Sequence, residues 1–499
     1  MFYEHAPSPQ AWVLKPPEEE TRHARYARMS IAAIVLAAGQ GTRMKSARPK
    51  MMHTLAGRPL VHYPVRAALD GGAAEIVVVV GFGRERIEEY LAQAFGKRVR
   101  IAVQAEQRGT GDAARAGLEA VSGSSKTVLV MNGDAPLVRG EDVAKVIAAA
   151  KGGGLALATI SVDDPSGYGR ILRDDAGEIV EIREDRDLES DAQRAIREIN
   201  PGVYATDVAW LKTALAQLEP WGAKKELYMT DAVAIAKKSG VRVIGVPSSP
   251  DVLIGINDRA QLADAEKRLH ERIADRWRRD GVTVRDGARI DDPVEIAADT
   301  VIETNAVLRG ATRIAANVTI DVGCVLTDVI VEEGATLKPY SVLSGPTTVG
   351  ARAQIGPFSH LRAETHIGEE AHVGNFVETK KTRMEKGAKA NHLAYLGDGI
   401  IGERANIGAG TIFCNYDGFR KHTTVIEADA FIGSDSQIVA PVRIGKGAYV
   451  ATGTTVTMDV PPDALAISRT KQENKEGYAS RLRARLANAP KTSIPPPRK

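Results

Sequence analysis

A chain of 499 residues is longer than one hydrophobic core serves, so two or three domains are expected. Its 66 basic and 63 acidic side chains leave a formal charge of only +3, which argues against a general attraction to nucleic acid. Two cysteines, Cys324 and Cys414, exclude a disulfide framework, and no apolar run approaches the roughly 18 residues of a membrane-spanning helix; both suit a reducing, cytoplasmic setting without membrane insertion.

Residues 1–29 carry Glu4, Pro7, Pro9 and the Pro16-Pro17-Glu18-Glu19-Glu20 tract, with no apolar periodicity and no signal-peptide core. They read as a disordered extension, and Met29 is an alternative start. Ile31 to Ala37 reads as a buried strand running into Gly39-Gln40-Gly41-Thr42-Arg43-Met44. Glycines after a strand let backbone N–H groups turn toward a phosphate, and Arg43 adds charge; a Gly-rich turn without a ligand is the plainer reading. The pattern predicts further strands at 76–80, 100–104, 127–131 and 155–161, and helices at 59–70, 84–94, 111–120 and 140–149. This alternation predicts a Rossmann-like, mostly parallel α/β sheet, with ligands beyond the carboxyl ends of its strands. Asp134 follows one of those strands, where a carboxylate projects into the crevice or caps the next segment.

Residues 257–279 read as a separate amphipathic helix, with Leu262, Ala265, Leu269, Ile273 and Trp277 near one face. It either links two units or packs its first half on the first one. Beyond it aliphatic residues recur every six positions: Ile290, Ile296, Ile302, Leu308, Ile314, Ile320 and Leu326, then, after a slip of one residue, Val331 to Val373. The period returns at Ile401 and Ile407, and from Ile432 to Val456. Six residues turn an α-helix through about 600°, so no helix keeps this period on one face, and a flat strand has period two. One inward aliphatic per hexad fits a solenoid of short strands meeting at corners where small residues allow a bend. The stretch 379–400 reads as a basic loop, and 412–431 carries Cys414-Asn415-Tyr416-Asp417-Gly418. His360, His366 and His372 share the hexad spacing but fall on different faces of such a prism, so they predict no metal cluster.

Several motifs resemble known families. Leu36-Ala37-Ala38-Gly39-x-Gly41-Thr42-Arg43-Met44 with Pro49-Lys50, Gln104-Ala105-Glu106-Gln107-x-Gly109-Thr110-Gly111, Gly133-Asp134-x-Pro136-Leu137, Gly167-Tyr168-Gly169-Arg170, Glu198-Ile199-Asn200 and Thr230-Asp231 are similar to the signature of sugar-phosphate nucleotidyltransferases. The hexads resemble the left-handed β-helix acyltransferases, three hexads to a triangular coil. Together they resemble the bacterial family of bifunctional N-acetylglucosamine-1-phosphate uridylyltransferases/glucosamine-1-phosphate acetyltransferases, over residues 31–477. The resemblance implies a uridylyltransferase domain at 30–258, a linker helix at 259–279 and a left-handed parallel β-helix acetyltransferase domain with a basic tail at 280–499. A nucleotidyltransferase whose β-helix serves only assembly is the alternative.

By this resemblance the substrates are glucosamine 1-phosphate, N-acetylglucosamine 1-phosphate, UTP and acetyl-CoA, with Mg²⁺ held by Asp134 and Asn257. An Asn before a helix is also an ordinary N-cap. Lys50 and Arg43 offset phosphate charge, Gln104 with Gly109 and Thr110 meets the base, and Leu36, Ala37, Ala38, Gly39, Asn132 and Gly133 complete the nucleotide site. Gly169, Glu184 and Asn200 hold the sugar and its N-acetyl group, with Glu181 a near rival of Glu184. In the acetyl site Arg362 and Lys380 bind phosphate, and Tyr395 and Asn406 line the sugar pocket. Asn415 and Tyr416 orient the amine and the acetyl group, and Ala409, Ser434, Thr452 and Arg469 form the coenzyme groove. An attacking amine must lose a proton, and His392 matches the family's base. Asn132 stands where the family commonly has Tyr, and Thr452 where it has Ala. A homotrimer of side-by-side prisms in the cytoplasm completes the implied picture.

Overall fold

The computed structural model describes residues 31–220 and 225–488. The readings for residues 1–29 and for the end of the tail, 489–499, lie outside the described residues. The chain forms two compact units, one running through Arg276 and including Arg289–Val294, the other holding Trp277–Ala288 and the chain from Glu295 onward. No described helix is long and apolar enough to cross a membrane.

In the first unit Ile31–Ala37 is the central strand. It pairs in parallel with Glu75–Val80 on one side and Thr127–Asn132 on the other, and Val99–Val103 extends the parallel edge. Its residues alternate between two cores: Ala33 and Val35 enter one, Ile34 the other. A strand buried on both faces needs such a continuous apolar run. Beyond Thr127–Asn132 the sheet becomes mixed, because Val203–Asp207 pairs antiparallel with both Thr127–Asn132 and Leu155–Ser161. The helix predicted to begin at Pro59 starts at His62, since Arg58–Pro59 is held in a small antiparallel pairing with Thr54–Leu55. The long helix Arg259–Arg279 buries Ala265, Leu269, Ile273 and Ala274, and Arg272 Nη1 donates to the Leu137 carbonyl at 2.8 Å. As far as Arg276 it belongs to the first unit.

The second unit is a parallel β-helix. Thr283 pairs with Val301 and Glu295 with Arg313, each one coil further on. The predicted inward aliphatics are buried from Ile290 to Val456, with Leu308, Leu343, Ile355 and Ile432 at 0 % exposure. At the predicted slip Ile314 pairs with Val331, a coil shorter by one residue. Residues 379–400 are a correction: they form no loop. His372–Lys380 and Lys389–Gly397 pair in parallel residue by residue, and buried Thr379 takes an inward place. Shortened steps, from Thr379 to Met384 and from Leu396 to Ile401, imitate an interruption in the sequence. The later excursion is real: Ile400 pairs with Val425, and the chain between them leaves the coil after Ile412–Cys414.

The corners also differ from expectation. The repeat predicts small residues there, yet positive φ is carried by Asp299, Asn305 and Asn317 and by three aromatics, Tyr340 (φ 58), Phe358 (φ 56) and Phe376 (φ 57). Their rings stack in series with centroids 5.4 and 5.6 Å apart and stay about half exposed.

Candidate active sites

At the carboxyl ends of the parallel strands the first unit opens a cavity of about 500 Å³. Leu36, Ala38, Gly39, Arg43, Lys50, Gln104, Gly109, Thr110, Asn132, Asp134, Glu184 and Asn257 line it. The other predicted residues support this wall. Gly133 N–H donates to Leu36 O at 2.8 Å beside buried Ala37, and buried Asn200 accepts from Gly202 N–H at 3.1 Å. Gly169 leaves 3.7 Å between Glu184 Oε1 and the place a Cβ would take. Glu184 lines the cavity, its Oε1 accepting from Thr230 Oγ1 at 3.0 Å, whereas Glu181 pairs with Arg183 at 2.8 Å.

Charge converges at one wall. Lys50 Nζ lies 2.6 Å from Asp134 Oδ2 and 3.4 Å from Asn257 Oδ1, and Arg43 Nη2 donates to the same Asn257 oxygen at 2.7 Å. Gly41, at φ 67, is required here because a Cβ would collide with the stem of Lys50. The two capping alternatives fall away. Asp258 caps the long helix, accepting from Gln261 N–H at 2.9 Å, and Asp134 turns its carboxylate to Lys50. Two hard oxygens bridged by one ammonium form a donor set that fits Mg²⁺, an ion that takes one or two protein oxygens and leaves its other positions to phosphate and water. Among the described residues no group of three or more His, Cys, Asp or Glu is placed to hold a metal.

Near Glu184, burial and then the neighbouring Glu184, Glu181 and Asp187 carboxylates push Asp231 up to about 6. Burial also raises Glu184, against the hydrogen bond from Thr230.

In the second unit the coils stack the predicted residues into columns. His392 pairs with Asn375 one coil back, Nδ1 to Oδ1 at 3.3 Å. Gly410 N–H donates to Leu393 O, so Ala409 follows His392 in its column; Asp435 N–H to Ala409 O and Gly453 N–H to Ser434 O add Ser434 and Thr452. Arg469 closes the column by donating to Thr452 O. His392 is therefore on a strand rather than in the loop the sequence implies. A second column starts with Arg362, whose N–H donates to Thr379 O, and continues through Lys380, paired with Gly397. Tyr395 lies on the same strand as His392, and Asn406 on a flanking column with Lys389 and Phe431. Arg362 pairs with Glu378 at 2.9 Å. From the excursion, nearly buried Asn415 reaches back to Asp398, while Tyr416 stays exposed.

The sequence reading leaves several contributors unassigned. Gln107 lies inside a quoted motif, and its Nε2 donates to Ala38 O at 2.8 Å. Arg186 lies over the Tyr228 ring at 5.5 Å, and both line the cavity. Lys421 sits against Lys380 and lowers it from the ordinary lysine value. Only the fold brings these residues to the sites.

Residues 33–227 match the family model of the MobA-like NTP transferase domain, and residues 423–457 that of the bacterial transferase hexapeptide (six repeats). A Sorangium cellulosum protein named "Bifunctional protein GlmU" is 59% identical over 467 residues, covering 92% of this chain and 98% of that protein. Proteins of the same name from Anaeromyxobacter sp. and Trichlorobacter lovleyi are 50% and 43% identical, covering 92% and 91% of this chain and 94% and 98% of their own lengths. With both domains matched and nearly the whole of these relatives spanned, the chain belongs to the bifunctional GlmU family, nucleotidyltransferase and hexapeptide acyltransferase in one polypeptide.

Proposed function

We propose that the two sites act in succession in the cytoplasm. The β-helix unit acetylates glucosamine 1-phosphate with acetyl-CoA; the first unit then couples N-acetylglucosamine 1-phosphate to UTP, giving UDP-N-acetylglucosamine and pyrophosphate. The observation that carries this reading is the meeting of Lys50, Arg43, Asp134 and Asn257 in one cavity with Gln104. Assay of the purified protein for each half-reaction tests it. Uridylyl transfer without acetyl transfer would favour the alternative in which the β-helix serves assembly alone.

In the nucleotidyl site two anions must approach, and Lys50 with Arg43 offsets their charge. Asp134 and Asn257 would hold Mg²⁺, which screens the phosphates when bound. Gln104 donates its amide N–H groups to Gly109 O and Asp112 Oδ2, both at 3.0 Å, which leaves its Oε1 to accept from the N3–H of uracil. Gly109 and Thr110 pack beside that base, with Leu36, Ala37, Ala38, Gly39, Asn132 and Gly133 around the nucleotide. Gly169, Glu184 and Asn200 hold the sugar.

In the acetyl site Arg362 and Lys380 hold the phosphate, and Tyr395 and Asn406 the sugar ring. With Nδ1–H donated to Asn375, His392 keeps Nε2 free to take a proton from the amine as it attacks the thioester. Asn415 and Tyr416 orient the amine and the acetyl group beside the groove of Ala409, Ser434, Thr452 and Arg469.

The assembly is a homotrimer. A bulky side chain at left-handed φ costs about 1–2 kcal/mol, and half-exposed Tyr340, Phe358 and Phe376 recover little of that from solvent. Burial of this ridge against other copies supplies the compensation.

A further inference from the structure

We propose that Asp398 is a positioning residue for acetyl transfer, its carboxylate setting the orientation of the Asn415 amide and holding the Lys380 ammonium beside it. The proposal rests on the acetyl-site reading above, in which Asn415 meets the amine and Lys380 the phosphate.

The geometry has three parts. Asn415 Nδ2 donates to Asp398 Oδ2 at 2.5 Å, and Lys380 Nζ lies 3.8 Å from the same oxygen. Asp398 sits at φ 52 between Gly397 and Gly399, with its N–H donating to Lys380 O at 2.8 Å and its O accepting from Thr424 N–H at 3.2 Å. Neither flanking glycine tolerates a side chain. A Cβ on Gly397 would lie 2.5 Å from Tyr395 Oη and 2.7 Å from Asn415 Nδ2, and one on Gly399 would lie 2.5 Å from the Phe413 ring. The turn is thus pressed between the coil and the excursion, and it presents one carboxylate to two residues of the site.

The chemical consequence follows from what a carboxylate can do. An ionised carboxylate only accepts hydrogen bonds, so the NH₂ end of Asn415 must face Asp398. Its carbonyl oxygen then faces away, as an acceptor for an N–H of the attacking amine. Without the carboxylate both amide orientations become available. The same charge faces Lys380, the cation proposed to meet the substrate phosphate.

Asp398→Asn keeps the shape and removes the charge. In the full chain it should lower turnover of acetyl transfer by about 10–100-fold, the worth of one charge-assisted hydrogen bond. KM for glucosamine 1-phosphate should stay level or fall, because Lys380 is released toward the phosphate. An unchanged circular dichroism spectrum and denaturation midpoint of the second unit, measured on the same preparation, report that the β-helix is folded. In an Asn415→Ala background the Asp398→Asn change should cost almost nothing further, since both act through one amide. Unchanged turnover, a loss confined to KM, or full additivity with Asn415→Ala would overturn the assignment. Asn415→Ala alone distinguishes the two layers: if it leaves acetyl transfer intact, the site reading itself fails.

Discussion

His392 is half of a pair whose partner, Asn375, lies one coil away and fixes which ring nitrogen carries the proton. Replacing His392 by Ala should lower acetyl-transfer turnover by about 10²–10⁴-fold while changing binding of glucosamine 1-phosphate much less. Turnover of that variant should partly recover as pH rises, because more amine then arrives deprotonated. A turnover and affinity series against pH checks this; near-normal turnover at neutral pH would remove the base assignment. Asp231 offers a second test at the same scale. Its folded value, about 6, lies above the ordinary 3.8, so folding favours the protonated form. That contribution to stability is present below the unfolded value and is lost as pH rises through about 6. Asp231→Asn should therefore raise the thermal midpoint relative to the parent above about pH 6, with the difference vanishing below about pH 4. A midpoint that falls equally at every pH would contradict the sign.

At the scale of an element, the inward hexad residue and the corner residue do different work. Leu343 is fully buried, and neighbouring coils provide its packing. Leu343→Ala should cost about 2–5 kcal/mol, seen as a lower denaturation midpoint of the second unit, with uridylyl transfer retained at temperatures below that transition. The corner aromatics should act oppositely. Exchanging both Phe358 and Phe376 for Asp places the residue type other corners use at the same backbone conformation. The isolated β-helix fold should survive, as judged by circular dichroism, while the mass found by light scattering falls from trimer to smaller species. A trimer that persists would show that another face carries the contacts. The strand predictions succeeded where apolar side chains alternate between two cores, and they missed where hydrogen bonding rather than burial decides. Arg58–Pro59 shows this, since pairing with Thr54–Leu55 removes it from the following helix.

Across the whole molecule the residues proposed for the two chemistries fall in separate units, Lys50, Asp134 and Asn257 in one and His392, Lys380 and Asn415 in the other. Asp134→Ala should abolish uridylyl transfer and leave acetyl transfer nearly intact; joint loss in a soluble, folded protein would refute independent sites. From the sequence alone, the hexad period pointed to a solenoid in the second unit, because neither a helix nor a flat strand keeps one aliphatic in six on one face; the three-sided coil was what the family resemblance implied. The motifs likewise singled out Asp134, Lys50 and Gln104, all of which line the cavity. Three-dimensional packing decided the remainder. Asp258, not Asn257, takes the helix cap, and Glu184 rather than Glu181 lines the cavity, its carboxylate held by Thr230. The apparent loop at 379–400 closed into coils because Thr379 could occupy an inward place, a polar residue no apolar period reveals. Asp398 became visible only when the excursion returned Asn415 to it from 17 residues away, a proximity set by coil stacking rather than by spacing.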